Sequence, residues 1–151
     1  MKSLALVGLK ACARCRRVVA FLMTEDGEHT LGIALDASKA REVSGNYQEP
    51  EEKSLTDFLL RLLALFSYVP RQVVLESNKE GFLSARMEIV KGGETEILSC
   101  SPQEGVVYAT AAGIPLYAAE GIFEQRHLFH PPDTEGEAVD LLQPKLKPTL
   151  H

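Results

Sequence analysis

The stretch Ser99 to Ala119, SCSPQEGVVYATAAGIPLYAA, constrains the fold more than any other part of this chain. It reads as the end of a strand, a sharp turn, a short helix and a second buried strand. Ser101 can cap the helix, Pro102 suits its first turn, and Glu104 falls at the third helical position. Together they spell a capping box, in which the serine oxygen and the glutamate carboxylate satisfy backbone N–H groups that have no intrahelical partner. Gly113 ends the helix, because glycine adopts the left-handed stop conformation without strain. Ile114-Pro115-Leu116-Tyr117 then reads as a strand.

Other punctuation extends this pattern in both directions. Leu4 to Ala11 and Arg17 to Met23 read as paired strands, with Cys12-Ala13-Arg14-Cys15 as the turn. Asp26-Gly27 marks a hairpin loop, since that pair favours positive φ. Leu31 to Leu35 is a third strand, after which Asp36 can cap a short helix through about Val43. Ser54 or Thr56 starts the main helix, running to about Tyr68, with Asp57 three residues after Ser54 in a second capping box. Leu55, Phe58, Leu59, Leu62, Leu63 and Phe66 follow helical spacing, and Leu60 and Leu65 widen the apolar face until little polar surface is left. Such a helix is deeply buried or shared with a partner subunit. Gln72 to Glu76 and Phe82 to Val90 form a hairpin around Asn78 to Gly81, and Gly92-Gly93 turns into a strand from Thr95 to Ser99. Glu120 to Gln125 can form a further short helix.

Strands, two helices, three strands, a helix and a strand make an α+β fold, a mostly antiparallel sheet with two to three helices packed on it. The expected domain covers residues 1–128. Residues 129–151 carry Pro131, Pro132, Pro144 and Pro148 among charges and read as a flexible C-terminal tail. At 151 residues, with 45% hydrophobic and 25% charged residues, the chain suffices for one domain with a real core. A net charge of -5 disfavours non-specific binding to nucleic acid, which depends on neutralising phosphates. Three cysteines, Cys12, Cys15 and Cys100, are too few and odd in number for a disulfide framework, so a reducing, cytoplasmic compartment is expected. Lys10 interrupts the N-terminal apolar run, which reads as a strand rather than a signal. The run from Leu59 to Val69 is too short to span a bilayer and contains Arg61, so no membrane partner is expected.

Three segments give the chain a resemblance to the bifunctional nuclease domain family. Leu31-Gly32-Ile33-Ala34-Leu35-Asp36-Ala37-Ser38-Lys39-Ala40 stands where that family reads Leu-Pro-Ile-Trp-Ile-Gly-x-x-Glu-Ala. Leu55-Thr56-Asp57-Phe58 stands for Leu-Thr-His-Asp. Ser101-Pro102-Gln103-Glu104 stands for Arg-Pro-Ser-Asp. The resemblance implies an α+β fold and hydrolysis of DNA and RNA, with Mg²⁺ or Mn²⁺ as the metal. Asp57 and Glu104 are the carboxylates left to act as catalytic or metal-ligating groups, and Arg14, Arg16 and Arg17 the cations left to contact phosphate. The family's glutamate is Lys39 here, its histidine is Asp57 and its arginine is Ser101. Hydrolysis needs an activated water, a cation on phosphate and carboxylates on metal, so these replacements imply weak or lost catalysis. Capping already gives Asp57 and Glu104 a sufficient structural role. The rival reading is a non-catalytic dimeric scaffold or binding protein, its partner a second copy of the chain.

Two further constellations are weaker. Cys12-x-x-Cys15 could supply two zinc thiolates, completed by His127 and His130 only if the fold brings them near. Lys10 and the three arginines form a basic cluster at the same turn, without the interleaved aromatics of a stacking platform. Cys100 has no evident base beside it.

Overall fold

The computed structural model describes residues 1–12, 14, 17–45, 55–124 and 139–140. Strands β1 (Lys2–Cys12), β2 (Arg17–Thr24) and β3 (Thr30–Leu35) form an antiparallel meander, followed by helix α1 (Ala37–Ser44). Helix α2 (Leu55–Leu65) leads into a second meander of β4 (Val69–Ser77), β5 (Leu83–Lys91) and β6 (Glu94–Cys100). Helix α3 (Pro102–Ala112) then returns the chain to β7 (Leu116–Ala118). The strand order is β3-β2-β1-β7-β4-β5-β6, and the two-residue strand β8 (Val139–Asp140) pairs with β1 at Lys10 and Ala11.

This is a single α+β domain with three helices packed on a mostly antiparallel sheet, as the punctuation implied. Its parallel pairing is β4 with β7, which slots between the meanders and joins them. Val73, Val74 and Leu75 of β4 are all fully buried, as a central strand requires. Pro70, which has no N–H to give a ladder, sits at a register shift between β4 and β5.

Helix α3 is the centre of the core. Val106, Val107 and Ala109 are buried, and the helix touches β3, β4 and β5. Since β3 is one edge of the sheet and β5 lies next to the other, the sheet must coil around α3 to meet it on both sides. Gly105 makes the approach possible. A Cβ there would stand 2.7 Å from Ala85 Cβ and 3.1 Å from Val73 Cγ1, so the helix rests on the sheet through its own backbone.

Several local expectations change. Asp36 occupies the N-cap position of α1, but its carboxylate makes no cap bond; it turns to α3 instead. The main helix stops at Leu65, short of Tyr68, because Ser67 takes a left-handed φ of 65°. Residues 120–124 form successive turns rather than a helix: Ile122 N–H donates to Ala119 O and Glu124 N–H to Gly121 O, with Gly121 at φ 84°. Ser54, Arg16, Cys15, His127 and His130 lie outside the described residues, as do the tail's residues apart from β8. Among the described residues no helix is long and apolar enough to cross a membrane.

Helix α2 departs most from expectation. Of the two alternatives its composition left open, deep burial does not hold. Only Thr56 and Leu63 are buried, while Leu59 and Leu60 pack partly against the core. Leu55, Phe58, Leu62, Leu65 and Phe66 stay 74, 62, 39, 76 and 57% exposed.

Candidate functional site

The start of α3 is built as its sequence spells. Ser101 is extended (φ -71°, ψ 159°), and its Oγ accepts the Glu104 N–H at 3.2 Å. Glu104 Oε2 in turn accepts the Ser101 N–H at 2.9 Å. Pro102 fills the first turn, and Gly113 closes the far end at φ 65°, its N–H shared by Ala109 O and Thr110 O.

Gln103 adds a tie that local sequence does not announce. Its Oε1 accepts the Asp36 N–H at 3.1 Å, and its Nε2 donates to Asp36 Oδ2 at 3.3 Å. One amide side chain thereby pins the end of the edge strand β3 to the N-terminus of α3. Beside this tie lies a largely apolar groove of about 360 Å³. Its walls are Gly32 to Ala34 of β3, Gly81 to Leu83 at the tip of the β4–β5 hairpin, and Ser101 to Gln103. Asn78 shapes that tip by accepting the N–H groups of Glu80 and Phe82 on Oδ1, and Phe82 is left exposed at the rim.

Glu104 is not among the groove's lining residues; Cys100 and Tyr108 lie within reach of its charge. Burial pushes the Cys100 thiol up to about 11, and Glu104 adds to the rise. A thiol held protonated in this way is a poor nucleophile near neutral pH. Burial also raises Tyr108, with Glu104, Cys100 and Glu42 acting in the same direction. Glu42 Oε2 accepts the buried Thr56 hydroxyl at 2.9 Å, which ties α1 to α2.

The residues singled out from sequence therefore scatter. Glu104 is half-buried with one carboxylate oxygen held by Ser101, and Asp57 is half-buried in the first turn of α2, away from the groove lining. Arg14 and Arg17 are exposed where β1 turns into β2. Among the described residues no three of His, Cys, Asp or Glu come together as a group that could hold a metal ion. The groove is lined instead by apolar side chains and backbone. It offers shape and a few polar groups, not an acid, a base and a cation.

Sequence reasoning missed the Gln103–Asp36 tie and the groove; it found the surplus apolar surface of α2 but not which residues face outward. A signal for those residues was present. Leu55, Phe58, Leu62 and Leu65 recur at intervals of three, four and three, distinct from the inward set Thr56, Leu59, Leu60 and Leu63. Compared with known proteins, the chain matches no family model, and no curated protein matches it.

Proposed function

We propose that this chain is a divergent domain of the bifunctional nuclease type that has lost phosphodiester hydrolysis and works in the cytoplasm as a dimeric scaffold or binding protein. The observation that carries this reading is the uncovered apolar row on α2, the surface on which a single copy is left incomplete. The chemistry around α3 supports it. Glu104 serves the capping box, Cys100 is held as a neutral thiol, and the groove at the helix start presents no convergent ionisable groups.

The test is a cleavage assay on purified full-length protein with single-stranded DNA and RNA, in Mg²⁺ and in Mn²⁺. A positioned general base typically contributes ~10²–10⁴-fold in rate, and the family's histidine and arginine are Asp57 and Ser101 here. Cleavage indistinguishable from a buffer blank is expected. Robust turnover that disappears in Glu104→Ala or Asp57→Ala would contradict the scaffold reading. A binding arm runs beside it. If Arg14 and Arg17 contact phosphate, binding weakens steeply with salt and is lost in an Arg14→Glu/Arg17→Glu variant.

A further inference from the structure

We infer that the two-fold contact of the dimer is the outward face of α2, occupied by α2 of a second copy. The inference rests on the dimeric reading above and assigns it a surface. Four features of the helix carry it.

The first is the division of its circumference. Thr56, Leu59, Leu60 and Leu63 turn toward the domain, whereas Leu55, Phe58, Leu62 and Leu65 turn away from it. Asp57, Arg61 and Ala64 fall on the remaining arc, as 100° per residue places them. The apolar arc is thus wider than the domain covers, and the outer row is the part of it left exposed.

The second is its area. The outer row and Phe66 together expose on the order of 500 Å² of surface, more than half of the ~800 Å² that each partner of a standard-size interface buries. That lies in the upper part of the range for the largest patch a typical monomer exposes, ~300–600 Å².

The third is its spacing. Intervals of three, four and three match the seam of paired helices, in which side chains of one helix fill gaps of the next. They also read the same in both directions. A two-fold axis normal to the helix near Leu60 maps the row onto itself, bringing Leu55 beside Leu65 of the partner subunit and Phe58 beside Leu62 of the partner subunit. Each large side chain of the row then meets another across the axis, in the reciprocal pairing of an isologous contact.

The fourth is the contrast with the other exposed apolar element. β6 is an edge strand, with Ile97 and Leu98 uncovered, but Glu94 and Glu96 stand along it. Charges on an edge strand are the usual guard against edge-to-edge pairing. The α2 row carries none.

The experiment is light scattering on the full-length chain over a concentration series, with two variants. Wild type is expected at about twice the 16.6 kDa chain mass. Phe58→Glu/Leu62→Glu is expected at the single-chain mass with an unchanged far-ultraviolet spectrum, and Ile97→Lys at the wild-type mass. If the double variant does not fold, Leu55→Arg at the end of the row must weaken association at least about tenfold. A wild type that stays monomeric throughout overturns both the dimeric reading and this surface. A dimer that survives the α2 substitutions, whether or not Ile97→Lys breaks it, overturns the surface and leaves the dimeric reading standing.

Discussion

Helices α2 and α3 are each eleven residues long and both predominantly apolar, yet the fold uses them in opposite ways. Helix α3 is enclosed. Strands contact it from both sides of the coiled sheet, its ends are capped by Ser101 and Gly113, and Gly105 lets its backbone rest on Ala85 and Val73. Helix α2 touches the domain through one side and leaves larger side chains outside than α3 buries. Apolar composition alone thus does not decide burial. The buried residues of α3, Gly105, Val106, Val107 and Ala109, are small and let its backbone approach the sheet. Helix α2 is built from Leu and Phe and leaves its outward row exposed.

If this contrast is real, substitutions one position apart on α2 separate sharply. Leu63→Ala removes a buried side chain and is expected to cost about 3 kcal/mol of unfolding free energy. Leu62→Ala, at the exposed neighbour, is expected to change protomer stability by no more than about 0.5 kcal/mol at dilutions where the chain is monomeric. Urea unfolding measures both, and equal losses would erase the division between the two faces.

The close approach of α3 predicts the next largest effect. Alanine is the better helix former by roughly 1 kcal/mol. Gly105→Ala nevertheless drives a methyl into Ala85 and Val73, and overpacking of this kind is expected to lower stability by about 2 kcal/mol. A variant that melts higher than wild type would show that α3 is not held where its backbone meets the sheet.

Ser101→Ala removes the side-chain acceptor for the Glu104 N–H and should cost about 1 kcal/mol, whether or not the protein has any activity. An unchanged midpoint in urea would mean that the capping box contributes nothing to anchoring α3.

The smallest effect is in alkaline solution. Cys100 has its pKa raised from 9.0 to about 11 in the folded chain. Between those values the unfolded chain has lost the thiol proton and the folded chain has kept it. The stability linked to Cys100 is therefore fully present below pH 9.0 and is lost as pH rises through about 11. Site-resolved alkylation at pH 8 should find Cys100 slow, and Glu104→Gln should quicken it by removing the second cause of the shift. Fast labelling of Cys100 in folded wild type would contradict the packing described around α3.

The parts of this architecture legible in sequence are those governed by local chemistry. Asp26-Gly27, Gly92-Gly93, the capping box and Gly113 each fix a backbone conformation within a few residues, and each appears where its sequence indicates. What was not legible depends on partners far along the chain. Asp36 looks like a helix cap until Gln103, distant in sequence, takes its carboxylate. The parallel pairing of β4 with β7 depends on how α3 crosses the sheet, which no local signal records. Helical period identifies α2 as a helix, but with apolar residues on most of its circumference the period cannot say which side faces in. The candidate carboxylates show the same limit. Asp57 and Glu104 carry the right chemistry, while their positions relative to the groove follow from the packing of α2 and α3.

Hydrogen exchange compares the two helices most directly, in wild type and in Phe58→Glu/Leu62→Glu. Amides across Phe58 to Leu65 are expected to exchange faster in the variant, because a helix covered on one side opens more readily, while those across Val106 to Ala109 keep their protection. Equal protection of α2 in both proteins, or a loss spread evenly over α2 and α3, would contradict the claim that the outer face of α2 is completed by a second copy.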